Sequence, residues 1–186
     1  MGISLEVEGQ DKFDHTKQYI VMGNHESLFD IFAVPVTIPF RFVAVEAAQH
    51  FSYPLWGSLV RRWGNIPIDR ENLKKAKTSL EIAKNVTDSG TSILIMPEGQ
   101  RTLTGKVQDF KKGPFHFALA AKKDILPFAM RGLYKYKSKH SWILNPGKVY
   151  IKFGTPVSYK SMENLSVEEL RDKVKNIIID LKKSIK

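Results

Sequence analysis

The sequence contains no cysteine. That excludes a disulfide framework, a thiolate nucleophile and any cysteine-ligated metal centre. A long apolar run is also missing. A helix needs about 20 apolar residues to span a bilayer, and the longest candidate, Ile31 to Phe40, is broken by Pro35 and Pro39. The chain is therefore expected to be soluble or peripheral to a membrane. No secretory leader is visible, because the opening residues MGISLEVEGQDKFD are acidic and lack an apolar core. Met1-Gly2-Ile3-Ser4 begins like a myristoylation signal, but Glu6 stands where that pattern takes Ser or Thr. The histidines, His15, His25, His50, His116 and His140, show no ligand spacing such as His-x3-His, so no metal is expected. Internal repeats, linkers and low-complexity segments are absent.

What is present reads as one globular domain over residues 1–186, with 42% hydrophobic and 26% charged residues. The formal net charge is +10, and it is unevenly spread. Residues 1–101 carry 11 Lys+Arg against 12 Asp+Glu, whereas residues 102–186 carry 18 against 7. Such asymmetry suits a polyanionic partner: an anionic membrane surface, nucleic acid or a phosphorylated substrate. A solvated lysine surface has the same composition.

Short strand-like runs alternate with helical patterns. QYIVMGN, RFVAVEA, GNIPID, TSILIMPEG, ILPFAMRG and KVYIKFGTPV read as strands. Helices are expected from about Ser27, over YPLWGSLVRRW, over ENLKKAKTSLEIAKNVTDSG and over GPFHFALAAKKD. In the third of these, Leu73, Ala76, Leu80, Ala83 and Val86 recur at a helical period before a glycine stop. A last amphipathic helix, about 166–185, opens on a Ser166–Glu169 capping box, with Val167, Leu170, Val174, Ile177, Ile178, Leu181 and Ile185 on one face and basic residues over much of the other. The alternation predicts an α/β layered fold: a mainly parallel or mixed central sheet flanked by helices.

Four polar constellations interrupt these apolar segments. In NHESLFD, His25 and Asp30 follow a predicted strand, where α/β folds place ligand sites. If His25 sits in the turn and Asp30 in the first helical turn, Asp30 can accept from one ring nitrogen and leave the other free as a base. A structural histidine fits the same spacing, and Ser27 reads as a helix N-cap. In MPEGQRTLTG, Glu98, Gly99 and Arg101 form a tight turn after a buried strand. Gly99 permits close backbone approach, and Arg101 offers a planar fork for phosphate or carboxylate. A plain Glu98–Arg101 surface pair is the alternative. In GNIPIDR, Arg70 follows a short strand, either free for a ligand or paired with Asp69. ILPFAMRG ends in Arg131-Gly132 and reads chiefly as a core strand.

In order and spacing these blocks resemble those of the glycerolipid acyltransferases, the lysophosphatidic acid acyltransferase family. NHESLFD matches Asn-His-x-Ser-x-x-Asp. GNIPIDR matches an apolar-Ile-Asp-Arg block. MPEGQRT with DFKKG matches Glu-Gly-Thr-Arg followed by Phe-Lys-x-Gly, and ILPFAMRG matches an Ile/Val-Pro strand. The resemblance runs from about Gly9 to Val157. Gln100 departs from the usual Thr, and Val45 stands where many relatives carry a lysine. The N-terminal membrane-embedded helices common in bacterial relatives are not seen here, as expected either of a naturally peripheral member or of a shortened form.

The resemblance implies a single-domain O-acyltransferase with His25 as general base and Asp30 as its orienting carboxylate. A fatty acyl chain would pass from acyl-CoA or acyl-carrier protein to the hydroxyl of a lysophospholipid, 1-acylglycerol-3-phosphate giving phosphatidic acid. Arg101, assisted by Arg70, would hold the acceptor phosphate, and Glu98 would fix Arg101 or contact the glycerol. No acyl-enzyme and no cofactor is implied. Backbone N–H groups after His25 are candidate oxyanion donors. The implied setting is cytoplasmic and peripheral, on the inner face of an anionic membrane, with no nucleic-acid partner. Trp142 in the basic loop KYKSKHSWILNPGK is a candidate interfacial anchor, and the last amphipathic helix is a second. Two other classes share these features: a lipid esterase or thioesterase using the same dyad, and a non-catalytic basic lipid-binding module.

Overall fold

A computed structural model describes residues 2–68, 81–82 and 84–185. Its strands are β1 (Ile3–Glu8), β2 (Ile20–Gly23), β3 (Phe42–Ala47), β4 (Ile66–Ile68), β5 (Ser92–Ile95), β6 (Ile125–Arg131) and β7 (Gly147–Phe153). They form one seven-stranded sheet in the order β1-β7-β6-β2-β5-β3-β4. Neighbours run parallel throughout, except that β6 and β7 are antiparallel. The mixed α/β sheet expected from the alternating pattern is what forms.

The central strands are short apolar runs, and every residue of β2 and β5 is buried. That is the composition of parallel strands covered on both faces. Side chains alternate between the two faces. Ile20, Met22, Ile93, Ile95, Ile125 and Ala129 point into one core, with Phe115, Ala118, Leu170, Val174 and Ile178. Helices α3 (Gly113–Ala121) and α5 (Val167–Ser184) supply the last five. Val21, Leu94, Leu126, Phe128 and Met130 point into the opposite core, with Phe13, Tyr19, Val34, Ile38, Leu133 and Phe153.

That second core has thinner cover. Beside loops, it is roofed by α1 (Asp30–Ala33) and α4 (Leu133–Tyr136), each a single turn. Another helix, α2 (Trp56–Trp63), precedes β4 and ends at Gly64, whose φ of 87° is the left-handed conformation glycine adopts freely.

Three expectations change. The first strand was not legible, because ISLEVE alternates apolar residues with carboxylates at a sheet edge and stays half exposed. The helix expected from Ser27 starts at Asp30 and stops at Ala33, because Pro35 opens a separate 3-10 turn. The last helix puts Leu170, Val174 and Ile178 into its own core with no exposed surface, so its apolar stripe is not open to a membrane. Its capping box forms, with Glu169 N–H donating to Ser166 Oγ at 3.2 Å and Ser166 N–H to Glu169 Oε2 at 2.8 Å. Arg70, Leu73, Ala76, Leu80 and Ala83 lie outside the described residues. Val86, from the same segment, packs partly against the α3/α5 core.

Candidate active site

The carboxyl ends of β2, β5 and β6 lie side by side, because β2 pairs in parallel with both others. Residues 24–30 leave β2, residues 96–108 leave β5, and Gly132 to Tyr136 leave β6. Asn24 opens the turn and is spoken for at once. Its amide donates to Met130 O at 3.1 Å and accepts from Met130 N–H at 2.8 Å, so the chain leaving β2 is fastened to β6.

His25 comes next. Its backbone N–H donates to Glu98 Oε1 at 2.8 Å, and its carbonyl accepts from Thr102 N–H at 2.9 Å. The residue is therefore held by the loop after β5 at both backbone polar groups. Its side chain turns back to Asp30, with Nδ1 to Oδ2 at 2.6 Å. Asp30 is 2% exposed, and its oxygens also accept from Glu26 N–H (2.8 Å) and Ser27 N–H (3.0 Å). A buried carboxylate needs such partners, since an unpaired one is strongly disfavoured. Among the described residues Nε2 has no partner, and the imidazole keeps 24% of its side-chain surface in solvent. The arrangement is one ring nitrogen fixed by a carboxylate and the other reachable from outside.

Ser27 is not the helix cap expected of it. Its hydroxyl donates to Lys137 O at 2.7 Å and accepts weakly from Phe29 N–H, and α1 has Phe29 at the cap position without a side-chain bond. The N–H groups of Glu26, Ser27 and Phe29 are all engaged within the turn, which removes them as oxyanion donors.

Glu98 faces inward. Oε1 takes the His25 N–H, and Oε2 takes Gln108 N–H (2.9 Å) and Gln108 Nε2 (3.1 Å). Burial pushes its carboxyl above the ordinary value, while the His25 and Gln108 donors pull the other way. No ion pair joins Glu98 to Arg101. Arg101 stays partly exposed one residue before Thr102, whose N–H reaches the His25 carbonyl. Gly99 has φ 72°, the left-handed turn that the spacing after the strand required. The loop closes on itself where Gln108 Nε2 also donates to Gln100 O at 3.3 Å.

Glu26 is 1% exposed and pairs with Lys182 Nζ at 2.5 Å, while its other oxygen accepts from Tyr134 N–H at 3.0 Å. Burial raises its carboxyl, and the Lys182 ammonium opposes that. Sequence reasoning missed Gln108, Glu26 and Lys182 as parts of this site. Glu26 carried one signal, a charged residue inside an otherwise apolar strand-helix unit. Gln108 and Lys182 carried none that local pattern could separate from surface residues. Among the described residues no group of His, Asp and Glu side chains is placed to hold a metal ion.

Outside the turn, the segment after α4 exposes Trp142 (91%), Ile143 (69%) and Leu144 (43%). Lys137 Nζ lies 5.0 Å from the centre of the Trp142 ring. No helix among the described residues is long and apolar enough to cross a membrane.

Comparison with known proteins gives a consistent result. A family model described as Acyltransferase matches residues 4–131. A 1-acyl-sn-glycerol-3-phosphate acyltransferase from Cocos nucifera is 30% identical over 181 residues, covering 97% of this chain and 58% of its own. The alpha form from Mus musculus is 28% identical, covering 99% of this chain and 65% of its own. The chain thus spans about three fifths of the length of such relatives. The crystal structure of the 1-acyl-sn-glycerophosphate (LPA) acyltransferase PlsC from Thermotoga maritima superposes with a TM-score of 0.80 at 27% identity, over 95% of this chain and 70% of that one.

Proposed function

The chain belongs to the Acyltransferase family, and on that premise we propose that it moves a fatty acyl chain from a thioester donor to the hydroxyl of a lysophospholipid. The observation that carries the proposal is the His25–Asp30 pair, with Nδ1 held at 2.6 Å and the imidazole still partly exposed. The relatives' printed names support 1-acylglycerol-3-phosphate as the acceptor, and in this reading the product is phosphatidic acid. Acyl-CoA or acyl-carrier protein is the donor in this reading, and no further cofactor is called for.

In the proposed reaction His25 Nε2 takes the proton of the acceptor hydroxyl as that oxygen attacks the thioester carbonyl. Asp30 keeps the ring in the tautomer with Nδ1–H and stabilises the imidazolium that forms. The tetrahedral intermediate collapses by breaking the C–S bond, and the thiolate recovers the proton from Nε2. The products are a new ester and a free thiol, and no acyl-enzyme intervenes. Arg101 holds the acceptor phosphate with its planar fork, and Arg70 assists it in the same reading. Glu98 acts as a positioning residue, since it fixes the His25 backbone.

The substrates are lipids, so the reaction belongs at a bilayer surface. We assign that contact to the exposed Trp142-Ile143-Leu144 stretch and its neighbouring lysines, on the cytoplasmic face of an anionic membrane. An aromatic side chain beside cations suits the headgroup region.

A second reading, a lipid esterase or thioesterase, uses the same dyad to activate water. One experiment separates them. Purified protein is incubated with mixed acyl donors and a lysophospholipid panel, and the lipids are analysed by mass spectrometry. Transfer predicts the acyl group on the phospholipid and a loss of about 10²–10⁴ in rate for His25→Ala. Free fatty acid as the sole product selects hydrolysis.

A further inference from the structure

Three carboxylates converge on one turn. Asp30, Glu26 and Glu98 each keep 2% or less of their surface in solvent. Glu98 is held by neutral donors, and Asp30 by His25 and two backbone N–H groups. Among the described residues the only cation paired with this group, apart from His25 itself, is Lys182.

The position of Lys182 is unusual for a lysine. Leu170, Val174 and Ile178 are the fully buried stripe of α5, one residue every four. The next step of four is Lys182, in the last turn. Residues i and i+4 share a helix face, so an apolar residue is the ordinary occupant. Here the ammonium reaches Glu26 Oε1 at 2.5 Å, and it also donates to Gly105 O at 2.8 Å. Gly105 belongs to the loop that carries Arg101. One ammonium therefore fastens the turn holding His25 and the loop holding Arg101 to the end of α5. The matched family stretch, 4–131, does not include it.

We propose that Lys182 is a positioning residue of the acyl-transfer site, acting through Glu26: it locks the His25 turn to the Arg101 loop and balances the carboxylate beside the His25–Asp30 pair. The inference rests on the reading of His25 as the base. Without the ammonium, Glu26 is a buried carboxylate with no cation, next to Asp30, whose charge already makes Glu26 harder to ionise. Its uncompensated charge then makes the nearby imidazole hold its proton more firmly. An imidazole bound to its proton too firmly cannot accept one from the acceptor, nor return it promptly to the thiolate. The groups facing this cluster are His25, Asp30 and Glu26 from the turn, Glu98 from the loop after β5, the Tyr134 N–H from α4, and Lys182 from α5.

The test reads the His25 ring directly, by NMR titration of the whole protein, beside acyl-transfer kinetics. In Lys182→Met the ring midpoint moves up or splits into two steps, and kcat falls on the order of 10², the effect of a catalytic group about 1 Å out of place. Adding Glu26→Gln to that variant brings the midpoint back toward wild type, and Lys182→Arg recovers most of kcat. A folded Lys182→Met whose His25 titrates as in wild type overturns the proposal, because a merely structural lysine changes the melting temperature and leaves the midpoint alone. If Lys182→Met does not fold, Glu26→Gln decides. It is isosteric and leaves the ammonium in place, so the midpoint must fall, and coincidence with wild type overturns the coupling. A wild type inactive with every donor removes the parent reading instead, and the titration still reads the coupling.

Discussion

The turn at the end of β2 and the segment after α4 invert the usual rule of burial in opposite ways. The turn buries Asn24, Glu26, Ser27 and Asp30, whereas the segment exposes Trp142, Ile143 and Leu144. They are physically joined, through the Ser27 hydroxyl on the Lys137 carbonyl. In the turn every buried polar side-chain atom has a partner, which is the condition for keeping polar groups inside. In the segment large apolar side chains stand exposed, with the Lys137 ammonium over the Trp142 ring, the pattern of a contact surface. On the proposed function, the turn would serve the chemistry, with polar groups held by many bonds, and the segment would serve access to a lipid surface, with apolar groups held by few.

The largest effect is expected of Asp30→Asn. One amide oxygen then replaces two carboxylate oxygens that now serve His25, Glu26 and Ser27. Acyl transfer should fall by about 10²–10⁴, while co-sedimentation with anionic vesicles stays as in wild type. Loss of vesicle binding in the same variant would show that the two regions do not act separately.

Trp142→Ser attacks the other side. Losing an interfacial aromatic of this size should weaken vesicle binding about tenfold, with global stability changed by no more than about 0.5 kcal/mol. The binding should also weaken with added salt, because the neighbouring lysines act through a screened field. Equal binding of wild type and variant to neutral and anionic vesicles would mean the exposed residues serve something other than a membrane.

The smallest effect is a pH dependence. Burial holds Glu98 above the ordinary value of 4.5. A carboxyl harder to ionise in the folded state adds stability that is complete below the ordinary value and is lost as pH rises through the folded one. The stability of wild type relative to Glu98→Gln should therefore decline from about pH 4 toward neutrality. Glu26 titrates in both proteins, so the difference isolates Glu98. A gap that grows with pH in denaturant melts would contradict the inward-facing carboxyl.

How far the sequence already spoke differs between these same parts. β2, β5 and β6 were legible because central strands are apolar on both faces and need no distant information. His25, Asp30, Glu98 and Arg101 could be singled out because polar residues cluster just past those strands, but only the family resemblance gave them roles. The partners were not. Glu98 finds Gln108 across a loop, and Glu26 finds Lys182 156 residues away. Those meetings depend on how α5 docks, which no local period encodes. Glu98 was expected to fix Arg101 or contact the glycerol, and the structure gives it to backbone and amide donors instead. Ser27 had the residue type of a cap, but Pro35 leaves α1 too short for capping to matter, and the hydroxyl reaches Lys137.

The parallel pairing of β1 with β7 can be read in time as well as in space. Its register runs from Ile3 opposite Gly147 to Glu8 opposite Lys152. A growing chain makes β1 well before its partner β7. At roughly 5–20 residues per second, the wait between them is on the order of ten seconds. Throughout that interval β1 is an unpaired strand with an open row of backbone donors and acceptors, the feature that recruits stray chains. Glu6 and Glu8 sit on that strand, and charged side chains repel such pairing. When β7 arrives, the same carboxylates meet Lys148 and Lys152, each at 2.9 Å. A pair of surface ion pairs in the finished sheet is, during synthesis, a guard on its first strand.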